Sequence, residues 1–217
     1  FCHHCPSPMK IIVISPSRTT DNELKTVTAL FEHGLQIFHL RKPSMRTNEM
    51  KEYIEAIPSI FHNRIIIHSH HKLASTFDLR GIHLTKAHFR KKLLLWWRLR
   101  SLLLKKPNIS VSTSFHKLLS VYDAEPRFAY AFLGVIFDKV SGKFNAGYSR
   151  HSLEAAIAKT KNKLIARGGT DISNIETCRD IGFYGVAYSS AIWKSEDPVK
   201  TFCAIKDRFR ELNIPAE

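Results

Sequence analysis

Residues 163–192 read KLIARGGTDISNIETCRDIGFYGVAYSSAI. The stretch opens on a short apolar run, 163–169, that closes at the pair Gly168 and Gly169. A helical pattern over 172–182 follows, and Gly182 is its expected stop. A second apolar run, 184–192, ends in a Ser-Ser-Ala turn. Strand, helix and strand in roughly thirty residues is the spacing of two parallel strands joined by a crossover helix.

The same alternation runs through the rest of the chain. Strand-like runs are IIVIS (11–15), LQIFHL (35–40), RIIIH (64–68), GIHL (81–84), ISVST (109–113) and FAYAFLGVIF (128–137). Helical patterns separate them. The first carries a capping residue at Thr20 or Asp21 and stops at Gly34. Another spans 46–57 and ends at Pro58, short ones cover KLASTF and 116–121, and HSLEAAIAK fills 151–159. The last helix has Pro198 in its first turn. About eight strand–helix units in the ~209 residues from Met9 predict a compact, single-domain (β/α)8 barrel. A doubly wound open sheet is the alternative, but no G-x-G-x-x-G follows the first strand.

Composition narrows the function. The 217 residues hold 33 Lys+Arg against 19 Asp+Glu, a formal charge of +14. At 44% hydrophobic the chain can fill a core, and four cysteines are too few for a disulfide scaffold. No apolar run approaches the ~18–20 residues that span a bilayer. The charge points to nucleic acid, an anionic membrane or a phosphorylated substrate. Between Asp78 and Asp123 there is no acidic residue, and the centre reads HFRKKLLLWWRLRSLLLKKP (88–107). Two readings stand for it. One is a basic amphipathic helix for membrane or nucleic acid. The other is an outer helix whose Lys and Arg stems lie over apolar surface.

The chain begins FCHHCPSP before Met9. Met9 is the expected natural start, with residues 1–8 an upstream read-through or an added tail. Cys2 and Cys5 have C-x-x-C spacing, but no second ligand pair at zinc spacing stands out. Without a secretory pattern, the cytoplasm is the expected compartment.

In a (β/α)8 barrel, function sits at the C-terminal strand ends. These are Ser15; His39 and Arg41; 68–71; 84–88; Ser112 and Thr113; 137–143; Gly168 and Gly169; and Ser189 and Ser190. Gly168, Gly169, Ser189 and Ser190 fall after strands seven and eight, where such barrels commonly bind phosphate. His39 and Arg41 alternate, so both should face the mouth, and Arg suits a diphosphate. The alternative for Arg41 is a carboxylate partner on a neighbouring loop. His68, Ser69, His70 and His71 read either as a transition-metal site or as a polar, solvated strand end.

Several of these segments together resemble the thiamine phosphate synthase family, including its TenI-like relatives. They are GLQIFHLRK (34–42), RIIIHSHHKLASTFDLRGIHLT (64–85), ISVSTSF (109–115), FLGVIFDKVSGK (132–143) and IARGGTDISNIETCRDIGFYGVAYSSAIW (165–193). The resemblance implies a barrel that joins hydroxymethylpyrimidine diphosphate to thiazole phosphate, releasing diphosphate, with Mg²⁺ bridging that group. The departing diphosphate leaves a carbocation-like methylene, which calls for cations on the leaving group and little water.

Residue by residue, the resemblance puts His39, Arg41 and Ser112 in catalytic positions. It puts His39, Arg41, His68 and Lys143 against the diphosphate and pyrimidine. It puts Ser141, Gly168, Gly169, Ser189 and Ser190 around the thiazole phosphate. The two metal-binding carboxylates of the family fall at Ser69 and His88, and Pro43 stands where the family has a Lys. Lys42 is one residue off that position and would point the other way if the strand persists, though it and Lys139 are also cations at strand ends, and Asp138 is a candidate substitute ligand. Val135 occupies the position where TenI-like tautomerases carry His.

Three functions follow as expectations: a thiamine phosphate synthase-like transferase; a weakly active TenI-like paralogue that binds thiazole or thiamine phosphate as a regulator; and a barrel whose basic helix meets a polyanion. The first predicts phosphorylated small molecules as partners, no nucleic acid and no membrane span. A homodimer is compatible with all three.

Overall fold

The computed structural model describes residues 8–122 and 128–217. The expected tail with Cys2 and Cys5 lies outside the described residues.

The elements run β1 (Lys10–Ile14), α1 (Glu23–Glu32), β2 (Ile37–Leu40), α2 (Thr47–Glu55), β3 (Ile65–Ile67), α3 (Leu73–Thr76), β4 (Gly81–Leu84), α4 (Lys86–Arg90) and α5 (Lys92–Lys105). They continue with β5 (Ser110–Phe115), α6 (Leu118–Tyr122), β6 (Tyr130–Leu133), α7 (Arg150–Lys159), β7 (Leu164–Arg167), α8 (Ile175–Ile181), β8 (Gly185–Tyr188), α9 (Ser190–Trp193) and α10 (Pro198–Glu211). The eight strands pair in chain order, all parallel, and β8 returns to β1 to close the barrel. Among the described residues, no helix is long and apolar enough to cross a membrane.

Alternation along each strand sorts the side chains. One set packs into the barrel: Ile12, Ile14, Ile37, Ile66, Tyr130, Phe132, Ile165 and Ala187. The other, including Val13, Phe38, Leu40, Ile67 and Leu133, meets the apolar stripes of the helices, such as Val27, Leu30 and Phe31 of α1. Trp193 of α9 donates its indole N–H to Ile14 O at 2.7 Å, fastening the last short helix across the seam where β8 meets β1.

Three local expectations change. The cap of α1 is Asn22, in the left-handed region at φ 59°, and neither Thr20 nor Asp21. Thr20 N–H instead donates to Glu23 Oε2 at 3.0 Å. The strand expected over 128–137 is only β6, because Gly134 sits against Arg167 O with no room for a side chain. Residues 137–143 are therefore loop.

The basic segment breaks at Lys91 into α4 and α5. It is an outer element, but its apolar side chains are not all covered. Leu93, Trp97 and Leu104 are 73%, 60% and 78% exposed, and Leu102 is the buried residue of α5. Arg100 lies over the Trp96 ring, 5.3 Å from its centroid.

Candidate active site

At the C-terminal end of the barrel, β2, β3 and β4 each send a histidine inward. His39 follows Ile37 by two residues on β2, His68 follows Ile66 by two at the end of β3, and His83 follows Gly81 by two on β4. His39 and His83 are closed off from solvent, whereas His68 keeps part of its surface at the rim. His39 Nδ1 lies 2.9 Å from His68 Nε2, and the His68 and His83 rings stack with centroids 4.1 Å apart. Polar residues from the far wall finish the layer. Tyr130 Oη is 2.6 Å from His39 Nε2, and Ser112 and Ser114 each lie 2.9 Å from a ring nitrogen of His83. Ser112 also bonds the Tyr130 hydroxyl.

Electrostatics keep this layer neutral. Burial, followed by neighbouring imidazoles and Arg167, pushes His39 and His68 well below the usual imidazole range. Burial, with Arg167 next, drives His83 down to about 3. Burial raises the Tyr130 phenol, so it stays protonated.

Two guanidiniums stand over the layer. Arg41 lies just beyond β2, its backbone clamped by Ser15: Arg41 N–H donates to Ser15 Oγ at 2.8 Å, and Ser15 Oγ–H donates to Arg41 O at 3.2 Å. Arg167 ends β7, with its guanidinium 6.0 Å from the Phe132 ring centroid. Desolvation and the charge of Arg41 both lower its pKa. Among the described residues, no carboxylate pairs with either arginine. The carboxylate-partner alternative for Arg41 is thus not realised.

Lys42 does the opposite. It turns away from the mouth and pairs with Glu23 Oε1 at 2.7 Å, with both side chains fully buried. Tyr53 Oη–H donates to the same carboxylate at 2.6 Å. Lys42 is therefore a structural cation, pointing the other way as its register on the strand predicts, and is not available at the strand-end site.

The other candidates divide as well. Gly168 and Gly169 do lie at the mouth. Both have positive φ, 90° and 67°, and a Cβ on Gly169 would come within 2.1 Å of Phe137 O. The glycines let the 134–137 segment lie directly against the end of β7, where Phe137 N–H donates to Gly168 O. Ser189 and Ser190 open α9, half-buried at the end of β8. Ser141 and Lys143 belong to a self-contained exposed turn. Ser141 Oγ–H donates to Asp138 Oδ1 at 2.9 Å, and Lys143 N–H donates to Ser141 Oγ at 3.3 Å. The Asp138 carboxylate also accepts from the N–H groups of Val140 and Ser141. Its Oδ1 is held within its own exposed loop, and among the described residues it makes no pair with Arg41.

The strand end at 68–71 is not simply solvated. His70 Nε2 meets Met45 O at 2.8 Å, tying it to the neighbouring loop. The ring of His71 packs 4.6 Å from that of His88, centroid to centroid. Its Nε2 and the hydroxyl of Ser69 are buried without partners. His88 Nδ1 accepts from Thr85 N–H at 3.0 Å, so that lone pair is committed to capping α4. A hard cation wants several oxygen ligands. Ser69 offers one neutral oxygen, His88 a nitrogen already engaged, and among the described residues no carboxylate joins them, so the pair does not fit Mg²⁺.

His83, Ser114, Tyr130 and Arg167 are not among the sequence candidates. GIHL reads as a strand, which conceals His83, and the strand end at 167–170 draws attention to its glycines and away from the side chain of Arg167. The period-2 alternation that places Ile66 and His68 inside would also have placed them there.

A closed parallel barrel of eight strands with alternating helices defines the (β/α)8 class, and its arginines and glycine pair lie at the C-terminal mouth where such barrels place their sites. The chain matches the thiamine monophosphate synthase family model over residues 11–192 and belongs to that family. A thiamine phosphate pyrophosphorylase from Bacteroides thetaiotaomicron is 27% identical, with TM-score 0.73, covering 93% of this chain and 98% of that one. Another, from Pyrococcus furiosus, is 20% identical with TM-score 0.72, covering 94% and 96%. A 3-hexulose-6-phosphate synthase shares the fold at 14% identity and TM-score 0.61, covering 92% and 99%. No curated protein matches the chain.

Proposed function

We propose that the protein is a thiamine phosphate synthase-like transferase acting on hydroxymethylpyrimidine diphosphate and thiazole phosphate. The observation that carries this reading is that Arg41 and Arg167, neither with a carboxylate partner among the described residues, both lie at the mouth near a buried neutral layer. Guanidiniums so placed suit a diphosphate through bidentate hydrogen bonds.

In this reading the guanidiniums grip the diphosphate. The bond from the pyrimidine methylene carbon to the diphosphate oxygen breaks, and the electron pair leaves with the diphosphate. The methylene carbon then bonds to the thiazole nitrogen. Cations aimed at the leaving oxygens act where charge develops. His68 presents an uncharged polar edge to the pyrimidine at the rim, and His39 and Ser112 position it from the closed layer beneath, with Phe132 behind them. Gly168, Gly169, Ser189 and Ser190 receive the thiazole phosphate, with Ser141 and Lys143 on the adjoining loop.

The test is direct. The purified full chain, given both substrates, forms thiamine phosphate, and Arg41→Ala slows this strongly while folding is kept. If no product forms while thiazole phosphate still binds in a calorimeter, the transferase reading fails and the regulatory paralogue replaces it.

A further inference from the structure

Helix α5 is apolar on two opposite faces. Its inner face is centred on buried Leu102, with Leu95 and Leu99 half-buried beside it and packed on the core. At about 100° per residue, Leu93, Trp97, Arg100 and Leu104 fall within about 60° of one another on the side opposite Leu102. Leu93, Trp97 and Leu104 are exposed there, and Trp96 beside them is half-exposed. More than half of the large apolar side chains exposed among the described residues lie in 89–104. Single exposed apolar residues are ordinary, whereas a gathered set rimmed by polar groups marks an interaction surface.

The rim of this stripe is cationic. Lys92 falls on one flank and Arg98 and Lys105 on the other, each about 110–130° from the stripe's centre. All three are exposed, and none pairs with a carboxylate among the described residues. No Asp or Glu occurs between Asp78 and Asp123 to neutralise them. This charge selects among occupants. A second copy would meet the stripe with the same stripe, as two-fold contacts do, and would bring like charges together with no acid in the segment to relieve them. A nucleic acid would use the cations and leave Leu93 and Leu104 without a contact. An anionic lipid surface uses both sets. Leucines enter the acyl boundary, tryptophans sit at the interface, and Lys and Arg stems carry their charges out to the headgroups.

We propose that α5 docks the barrel on an anionic phospholipid surface, lying in the interface and not crossing it. With 14 residues, α5 is too short to span a bilayer. It returns from the mouth end of β4 to the start of β5, along the outer wall. Docking on this wall leaves the mouth facing water along the surface. The proposal does not rest on the transferase reading.

The experiment mixes the full chain, without substrates, with vesicles of phosphatidylcholine alone or of phosphatidylcholine and phosphatidylglycerol. At low salt the chain should sediment with the anionic vesicles and not with the neutral ones. Raising the salt to about 0.5 M should weaken this partitioning at least about tenfold. Emission of Trp96 and Trp97 should shift to the blue, while Trp193 is already fastened on Ile14 O and contributes a constant background. A Leu93→Gln/Leu104→Gln variant should partition at least about tenfold more weakly and melt at the parent's temperature. Brominated acyl chains should quench the parent's emission, a measurement that needs no substitution. Absence of partitioning at low salt overturns the proposal, and so does emission that brominated lipid leaves unquenched. Partitioning that the leucine variant keeps in full also overturns it, by placing the contact elsewhere on this basic chain. A dimer that the same variant dissolves would assign the stripe to a second copy. Binding of a DNA duplex without binding of vesicles would assign it to nucleic acid, and either result overturns the lipid surface.

Discussion

The barrel mouth and helix α5 are both basic, and both offer cations that outnumber their acidic partners. The difference is what surrounds the charge. At the mouth, Arg41 is exposed at the rim while Arg167 is half-buried above the rings, where desolvation and the charge of Arg41 both lower its pKa. On α5, the basic residues share an exposed surface with Trp96, Trp97, Leu93 and Leu104. Basic charge therefore means different things in the two places. Water and salt screen the outer helix, while the half-buried guanidinium of Arg167 is partly desolvated. The +14 net charge alone could not separate the two.

The comparison is sharpest one residue from Arg41. Lys42 is neutralised in the interior by Glu23, and Tyr53 completes the carboxylate's contacts. Glu23→Ala strands a buried ammonium and should destabilise the fold by about 3–5 kcal/mol in denaturant unfolding. A loss below about 1 kcal/mol would mean that Lys42 finds water, and the contrast with Arg41 would dissolve. Next in size, Arg41→Ala should reduce the rate of thiamine phosphate formation by about 10²–10³, in line with losing a group that stabilises developing charge. Its stability should change by less than about 0.5 kcal/mol, as for a surface site.

The buried imidazoles predict a pH effect on the protein. His83 titrates at about 3 and His71 at about 4 when folded, burial being the main cause in each. Unfolded histidine titrates near about 6.5. Between these values the unfolded chain binds protons that the folded chain does not, so stability rises with pH. It is complete above about 6.5 and drains as pH falls toward the folded values. Urea midpoints measured from neutral pH downward should fall steadily, and a flat profile would contradict a neutral layer. The smallest effect belongs to α5. Leu93→Gln and Leu104→Gln should each alter stability by less than about 0.5 kcal/mol. A larger loss would show that this surface is packed against something in solution.

Much of the architecture is legible in the chain itself. Short apolar runs bounded by glycine and proline locate each strand, since a strand buried on both faces leaves a continuous apolar signature. GIHL is placed to the residue. FAYAFLGVIF is not, because apolar composition continues past the point where Gly134 meets the β7 backbone. Alternation finds Arg41, and position in the strand order finds the glycine pair. His83 and Arg167 stay hidden because each sits inside a pattern that already has an explanation. The inward turn of Lys42 depends on Glu23, nineteen residues earlier, and local spacing carries no record of such a pairing.

The contact between Gly168–Gly169 and the 134–137 segment divides the mouth by the material that writes it. On that side the surface is main chain against main chain, and a single added methyl group collides with a carbonyl. Point substitution can break this half but has little scope to retune it. The half formed by β2 to β5 is written in side chains, His39, His68, His83 and Ser112, joined in one hydrogen-bonded layer. Substitution there changes the chemistry of the surface, where on the other side it first disturbs the main chain. The glycine side remains a constant socket against which new chemistry can be tried.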